Sequence, residues 1–442
     1  MRKNRKNSGV AFIITLLVLS LLVSIVAIVA ADQQVAGQAR INKSDELEAR
    51  QMAMSGINLA VSLLSSQSKT ATLQTDDWNQ IGGSPGQPGS IKYDVGNNSF
   101  RIEIVDACSR VDLNTATSAQ LLNLPLTQAQ VDSLLDWREA STTARADGAK
   151  DDFYMGLPNP YLTKLGPLYS LDELTLVDNF TPATLYDTPS QLGVTTQITS
   201  GTDSNQDFSL SSLCTVDATS PNAASTGGAK VNINTSALTL ASLIQKGIPI
   251  QLADAIYNRR PITSLGQLLT LPGVTSTNAA LLLNNLTTTT GTTSVGKINL
   301  NTASEAALTS ITGITPDIAQ AIVTQQQNGF QSLASVLTVS GITTQAASQW
   351  IDDFSTASNT FLVRCIGTAG SANVSIEATI QLGGTNPQVI KLYTPPFPDM
   401  ATRWQWFDAT TDTDAVNSVI VTTTTSSSSS SSTAGSSTGG GQ

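Results

Sequence analysis

The side chains that could do chemistry in this 442-residue sequence are carboxylates and three thiols, because the sequence contains no histidine. Without histidine there is no Ser-His-Asp triad, no Cys-His nucleophile pair and no histidine-containing zinc site. The sequence also contains no P-loop and no GxGxxG motif. Only carboxylate-based catalysis stays open, so we expect a protein that is not an enzyme.

The three thiols belong to Cys108, Cys214 and Cys365, which lie far apart in the chain. If the chain is exported to an oxidising compartment, one pair could form a disulfide and leave the third thiol free. The sequence does not indicate which pair. The alternative is that each cysteine serves as a small buried apolar residue.

The N-terminus predicts a processing reaction at one peptide bond, between Gly9 and Val10. The first nine residues, MRKNRKNSG, carry four basic side chains and no acid, and residues 10–31 contain no charge. As a helix, these 22 residues extend roughly 33 Å, enough to cross a bilayer with the basic end in the cytoplasm. A basic segment that ends in glycine before such a helix predicts a prepilin-type leader. An uncleaved anchor is the alternative, and the run is too long for an ordinary cleaved signal.

The helix is expected to continue to residue 66, because no proline interrupts it. Leu47, Ile57 and Leu64 recur at helical spacing and predict an amphipathic second half. A helix of this kind is typical of type IV pilin-like proteins, although a linker helix beside the membrane would use the same residues. Most pilins have glutamate at the fifth mature position, where this chain has Ile14. A subunit without that acid lacks the group that pairs with a neighbour's N-terminal amine, and therefore suits a filament tip.

The predicted strands stand on both sides of a helical region. Alternating residues around Gly96 predict a hairpin over 90–107, and a second hairpin is predicted over 359–382, with short strands in 388–394 and 402–408. We therefore expect an α+β fold, in which a pilin-like long helix packs on a small antiparallel sheet that is interrupted by a large all-α insertion. The expected domains are the leader 1–9, the transmembrane spine 10–66, sheet 67–110, the insertion 111–355, sheet 356–410, and a disordered Ser/Thr/Gly-rich tail 411–442.

The insertion contains a motif that occurs three times: VDLNTAT at 111–117, VNINTSA at 231–237 and INLNTAS at 298–304. Each copy is followed by two short apolar runs, which predicts helix-hairpin-helix (SAM-like) repeats. The Asn or Thr of each NT pair is expected to cap the next helix. The turns fall at Gly247 in the second copy and Gly313 in the third, whereas the first copy has Leu126 there.

Such hairpins bind DNA in other proteins, where a Gly-x-Gly turn presents backbone N–H groups to phosphate. Here Pro249 and Thr315 occupy the second glycine position. Residues 231–354 carry four basic and five acidic side chains, and the whole chain has a net charge of −10. Nucleic-acid binding needs clustered positive charge. A packing module with a protein-binding face is therefore the favoured interpretation.

These features together resemble the minor pseudopilin K family of the type II secretion system. The resemblance rests on Gly9-Val10 after a basic leader, on Ile14, on the split sheet and on the LNT-type repeats. It also rests on the segment LLDWREA…DGAKDDFYMGLPNPYLTKLGPLYSLDELTLV at 134–177. Leu165 stands where the family pattern has asparagine, and Asp178 stands where it has glycine.

The resemblance implies a subunit that caps the tip of a periplasmic pseudopilus and helps to start its assembly. Implied partners are the minor pseudopilins I and J, other pseudopilus subunits, prepilin peptidase, the inner membrane and secreted substrates. The protein would be a single-pass inner-membrane protein with most of its chain in the periplasm. Some members of the family also bind calcium in the helical domain, and the implied oxygen ligands here are Asp136, Asp147, Asp151, Asp152, Asp172 and Glu173. The alternative is that these acids form a solvated loop and cap helices.

Two other functions remain open from the sequence. One is a membrane-anchored DNA receptor built from helix-hairpin-helix units, which predicts salt-sensitive DNA binding. The other is a tip protein of a related type IV pilus, or an envelope scaffold with an uncleaved anchor.

Overall fold

The structure is a computed structural model that describes residues 8–68, 70–83, 87–192, 208–224, 226–384, 386–406 and 410–411. The basic part of the predicted leader, residues 1–7, lies outside these ranges. So does nearly all of the predicted tail, from residue 412 onward.

The described helices follow in chain order. They are α1 (Ser8–Leu64), α2 (Ser118–Leu122), α3 (Gln128–Arg138), α4 (Asp151–Tyr154), α5 (Pro182–Tyr186), α6 (Leu210–Leu213), α7 (Leu240–Gln245), α8 (Ile250–Arg259), α9 (Leu265–Leu269), α10 (Ser276–Asn285), α11 (Glu305–Thr309), α12 (Pro316–Gln326), α13 (Thr344–Ala347) and α14 (Met400–Arg403). Short 3-10 turns occur at Asp77–Asn79, Ala107–Ser109, Leu171–Leu176, Leu333–Thr338 and Ile351–Asp353.

The described strands are mostly short outside one sheet. They are β1 (Ile91–Val95), β2 (Asn98–Asp106), β3 (Val111–Asp112), β4 (Cys214–Thr215), β5 (Thr219–Pro221), β6 (Val231–Asn232), β7 (Leu286–Thr287), β8 (Thr293–Val295), β9 (Ile298–Asn299), β10 (Phe354–Ser355), β11 (Thr360–Ala369), β12 (Ala372–Gln381), β13 (Gln388–Tyr393) and β14 (Thr410–Thr411).

The main sheet has the order β13-β12-β11-β2-β1-β14. Its central strands β2 and β11 pair antiparallel from Asp106↔Phe361 to Ser99↔Thr368, although most of the helices lie between them in sequence. Both predicted hairpins, β1–β2 and β11–β12, are present. The predicted α+β fold with a split sheet and a helical insertion is therefore confirmed.

Helix α1 is continuous over the predicted spine up to Leu64, two residues short of the predicted end, and only its second half packs on the sheet. The buried positions there are Ala49, Ala53, Ile57, Ala60 and Leu64. They recur at intervals of three and four residues, so they form one stripe along the helix.

The register of this stripe differs in part from the predicted one, because small residues make the contact. Leu47 is 53% exposed, whereas Ala49 and Ala53 are fully buried. A Cβ on Gly367 of β11 would lie 1.9 Å from the Ala49 carbonyl oxygen. The helix and the strand approach so closely that only small side chains fit between them.

Strand β11 is buried on both faces, because α1 covers one face and the insertion covers the other. Phe361, Val363 and Cys365 belong to the apolar cluster beneath α1, and Ile366 belongs to the cluster of the insertion. The alternation of the strand sends neighbouring side chains to these two cores.

The strand predicted over 402–408 is wrong for residues 402–406, and residues 407–408 lie outside the described ranges. Helix α14 occupies Met400–Arg403, and the following residues turn back, with the Trp406 N–H donating to the Ala401 carbonyl at 2.8 Å. Both tryptophans are buried, and the Arg364 guanidinium lies over the Trp404 ring. The alternating W-x-W pattern therefore reflects packing of a turn onto the sheet.

Candidate functional site

The first part of α1 presents a continuous apolar surface that no other described residue covers. Every side chain in residues 10–31 is exposed. The helix is long and apolar enough to cross a membrane. Gly9 and Val10 lie inside this helix, and Ile14 is 57% exposed. The position that holds glutamate in most pilins is thus an apolar side chain on an apolar helix surface.

The insertion is built from three units, and each is closed by a parallel two-residue bridge at its base. The bridges are β3–β4, β6–β7 and β9–β10. The first strand of each bridge is the start of one of the repeated motifs. The repetition therefore marks three closed structural units.

The asparagine of each NT pair holds the chain where its unit turns back. Asn301 donates from Nδ2 to the Phe330 carbonyl at 3.0 Å and accepts the Phe330 N–H at 2.5 Å. Asn114 makes the same pair of bonds with Leu168, at 3.0 and 2.7 Å. Asn234 makes it with Ile262, at 2.7 and 3.0 Å. A side-chain amide can replace a strand-like pairing in this way because it carries both a donor and an acceptor.

The expectation that the NT pair caps the next helix is wrong. The caps are Thr117 for α2, Thr239 for α7 and Ser304 for α11, each accepting a backbone N–H three residues on. The asparagines are already engaged as clamps, so the next hydroxyl residues cap the helices instead.

The hairpin turns have little phosphate-binding chemistry. Gly247 and Gly313 adopt positive φ angles of 79° and 95°, which is the glycine role that the sequence predicted. The second helices begin just after Pro249, which has no N–H to donate, and just after Thr315, whose hydroxyl caps α12. The turns serve the packing of two helices.

A buried carboxylate joins the third unit to the sheet. Asp106, at the end of β2, accepts hydrogen bonds from Asn299 at 2.9 Å, Thr302 at 2.6 Å and Ser358 at 2.7 Å. It also accepts the Cys108 N–H at 2.8 Å. Burial raises the pKa of this carboxyl, and the four donors oppose that shift. The INLNTAS stretch thus forms part of the joint between insertion and sheet.

Two buried arginines join the first unit to the same sheet. Arg364 of β11 pairs with Glu103 at 3.4 Å and with Glu377 at 3.3 Å. Arg110 donates to the Ser211 carbonyl at 2.8 Å, which Arg364 also reaches at 3.4 Å. Buried charges of this kind are stable only when they are paired. The insertion is therefore bound to the pilin-like body by polar groups as well as by apolar packing.

The six acidic side chains that the resemblance implied as calcium ligands do not form one cluster. Asp136 is buried and pairs with Arg145 at 2.8 Å. Asp172 accepts the hydroxyl of Tyr186, and burial raises its pKa. Glu173 pairs with Lys164 at 2.7 Å.

The other three acids lie toward the solvent. Asp147 and Asp152 are exposed, and Asp151 accepts the Thr163 N–H at 2.8 Å, which lowers its pKa. Over the described ranges, no group of three or more carboxylate or thiol side chains is placed to hold a metal ion. These residues do not form a ready-made site, and calcium binding stays a prediction.

Cys108, Cys214 and Cys365 are all buried free thiols in the structure. Burial raises the pKa of the Cys365 thiol, which lies beneath α1 close to Gly56. In this structure the three side chains occupy the places of small apolar residues, and a disulfide between two of them stays a prediction.

The first unit is similar in sequence to a known protein family. Residues 115–188, which include α2 to α5, match the family model of type II secretion system protein K. This chain carries a type II secretion protein K domain. The resemblance noted in the sequence is thereby confirmed.

Two further comparisons concern the rest of the chain. Residues 293–354, the third unit, match the helix-hairpin-helix motif. The fold is similar to a chain in the crystal structure of the GspK-GspI-GspJ complex from the type 2 secretion system of enterotoxigenic Escherichia coli, with 14% identity and a TM-score of 0.43. That similarity covers 83% of this chain and 99% of the other. No curated protein matches the sequence.

One departure from the family pattern, Leu165, lies at a position with an unusual backbone conformation. Leu165, which stands where asparagine is usual, has a positive φ of 52°. Asparagine adopts this left-handed conformation more readily than leucine does. An asparagine at this position would therefore favour the left-handed backbone conformation that the chain adopts here.

Sequence reasoning missed the residues around each clamp. Two residues before each asparagine stands Asp112, Asn232 or Asn299, whose side chain accepts the N–H of that asparagine. A basic residue precedes each unit: Arg110, Lys230 or Lys297. The recurrence of the pattern basic-[VI]-[DN]-x-N-T was the signal that could have found them.

Proposed function

We propose that this chain is a minor pseudopilin that caps the tip of the periplasmic pseudopilus of a type II secretion system. The observation that carries the proposal is the position of the protein K domain. It belongs to an insertion between the two central strands of a pilin-like sheet, and that sheet packs on a helix whose first half is exposed and apolar.

The insertion favours a terminal position because of how such filaments grow. Repeated subunits stack through heterologous contacts, so each body must leave room for the next. A body enlarged by three closed units disfavours a further subunit above it. Ile14 favours the same position, because without an acid there the helix makes no ion pair with the N-terminal amine of a neighbour.

The exposed half of α1 gives the proposed protein two successive locations. An uncovered apolar surface of this length needs a bilayer or other apolar helices around it. We propose that the precursor crosses the inner membrane once, with most of the chain in the periplasm. After cleavage between Gly9 and Val10, the same surface packs against the helices of other subunits.

The proposed partners are the minor pseudopilins I and J, which accompany GspK in the Escherichia coli complex. With them the chain would help to initiate the pseudopilus and protein export, and contact secreted substrates. The helix-hairpin-helix match at 293–354 does not favour DNA binding, because Lys297 is the single basic residue of that segment, whereas nucleic-acid binding needs clustered positive charge.

The tip position can be tested by labelling. An epitope tag after residue 442 should appear at one end of purified pseudopili under immunogold electron microscopy. An internal major subunit tagged in the same way should be labelled along the whole length. Labelling of this chain along the filament would overturn the proposal.

Cleavage is tested by Gly9→Val, which should leave the precursor unprocessed because a side chain crowds the scissile bond. Gly37→Val is the matched control: it lies in the same helix, and a Cβ at either position meets no atom within 4 Å. N-terminal sequencing of both variants reads the result. Processing of Gly9→Val like the wild-type chain would contradict the leader assignment, and a wild-type chain that keeps Met1 at its N-terminus would favour an uncleaved anchor.

A further inference from the structure

A cavity of about 70 Å³ lies where the second and third units meet the chain that returns to the sheet. Its lining includes Thr70 from the segment after α1, Asn222, Lys230, Lys297, Asp352 and Thr356. A cavity that holds one water needs about 10–15 Å³ by this kind of measure. This one therefore has room for a small ion together with water.

The two lysines occupy equivalent positions, one residue before the first strand of their units. Arg110 holds the same position in the first unit. Two of these three basic residues donate to a backbone carbonyl near the end of their own unit. Arg110 donates to Ser211 at 2.8 Å, and Lys297 donates to Asp352 at 2.8 Å.

Lys230 is the exception of the three. Across the described residues, its ammonium group has no hydrogen bond and no ion pair. Burial, and to a lesser extent the nearby charge of Lys297, together lower its pKa to about 8. A half-buried ammonium with a second ammonium nearby is unfavourable unless an anion accompanies them.

The other charged group in the lining is the carboxylate of Asp352. Both of its oxygens accept backbone N–H groups at the start of α9, from Leu265 at 2.8 Å and Gly266 at 2.9 Å. The negative charge of Asp352 therefore faces the N-terminus of α9. The lining also includes hydroxyl groups, among them those of Thr287, Thr289 and Ser294, which can donate to an anion.

We propose that this cavity binds a small dianionic oxyanion of the size of phosphate between Lys230 and Lys297. The ion would neutralise both ammonium groups and accept hydrogen bonds from the hydroxyl lining. It would also tie the second unit to the third and to the segment after α1. The small cavity excludes larger esters such as a lipid headgroup with its glycerol.

The primary test is thermal melting of the detergent-solubilised full chain at pH 7. Inorganic phosphate is compared with chloride at equal ionic strength, because a ligand that binds only the folded state stabilises it. We expect phosphate to raise the melting temperature by a few degrees. Lys230→Met should abolish the rise, and Lys230→Arg should retain most of it.

Lys246→Met is the matched control, since Lys246 is an exposed lysine of the same unit; it should keep the full rise. An equal rise in Lys230→Met, or no rise in the wild-type chain, overturns the proposal. Sulfate should act like phosphate if charge and size determine binding, and a lack of any sulfate effect would contradict the dianion assignment.

A second measurement observes the wild-type chain directly and needs a variant only to assign one signal. Lysines of the wild-type chain are reductively methylated with ¹³C-formaldehyde, and the methyl signals are titrated by NMR with and without phosphate. The signal of Lys230 is assigned by its loss in Lys230→Arg. Its titration midpoint should lie near pH 8 without phosphate. With phosphate the midpoint should be at least one pH unit higher, because the anion stabilises the ammonium form. An unchanged titration overturns the proposal.

Discussion

The first and third units of the insertion share one frame and differ in what it encloses. In both, a parallel bridge closes the base and an asparagine clamps the returning chain. The clamp joins residues 54 apart in the first unit, Asn114 and Leu168, but only 29 apart in the third, Asn301 and Phe330. The additional residues of the first unit include the acidic stretch of the protein K domain.

The difference shows that the frame tolerates insertions. The entropic cost of closing a loop grows only with the logarithm of its length. A longer enclosed segment therefore adds little to the free-energy cost of closing a unit. The closing contacts are retained in each unit, while the enclosed segments are free to differ. The family-specific segment therefore lies inside a unit built like the others.

The largest expected effect comes from breaking the clamp of the third unit. Asn301 is fully buried and bonds three backbone groups, of Phe330 and Thr356. Asn301→Ala leaves these groups without partners and should destabilise the protein by about 3–5 kcal/mol. Thermal melting of the full chain measures the change. A loss below about 1 kcal/mol would show that the clamp is not what holds this unit.

An intermediate effect concerns charge, because the first unit has Asp112 where the others have Asn232 and Asn299. Burial raises the pKa of Asp112 to about 6, although the N–H groups of Asn114 and Ala218 lower it in part. The folded state thus holds the proton more tightly than the unfolded chain, whose aspartates titrate near 3.9. The resulting stability is present at low pH and is lost as pH rises through about 6.

The difference in stability between the wild-type chain and Asp112→Asn should therefore fall by about 2 kcal/mol between pH 4 and pH 7. The variant removes the titrating group, so it isolates this contribution from those of other carboxyls. Melting temperatures of both proteins across that range give the result. Parallel pH profiles would indicate that Asp112 titrates normally.

The smallest expected effect is at the clamp of the second unit. Asn234 makes the same two bonds to Ile262 but is exposed, so water can replace them. Asn234→Ala should cost less than about 1 kcal/mol. Comparison with Asn301→Ala tests the effect of burial on the shared pair of bonds, to which Asn301 adds a third, to the Thr356 carbonyl. Equal losses at the two sites would mean that burial does not determine the strength of the clamp.

Calcium provides a further contrast between the units, since only the first contains the acidic stretch. If the sequence resemblance holds for calcium, the melting temperature should be higher with millimolar calcium than with a chelator. The binding would have to gather carboxylates such as Asp147, Asp151 and Asp152 that the structure leaves apart. An unchanged melting temperature would remove the prediction.

Much of the architecture was predictable from local patterns. The spine helix follows from a long stretch without proline, and both hairpins follow from alternation around tight turns. The strand predicted at Trp404 and Trp406 failed because alternation reports which side chains are buried, and a turn can bury two tryptophans as well as a strand can. Leu47 was wrongly predicted to lie on the buried face of α1, because large apolar side chains were expected there. The buried face instead carries alanines, which let the helix approach Gly367 of the sheet closely.

The sequence by itself determined the apolar helix, the threefold repeat and the absence of histidine chemistry, because these depend on residue type and spacing. Only the tertiary structure decided what each repeated residue does. The asparagines of the NT pairs were expected to cap helices, but their amides face backbone groups 28 to 54 residues away. Such partners are set by the closure of each unit, and no local pattern contains the position of a chain segment that returns from so far.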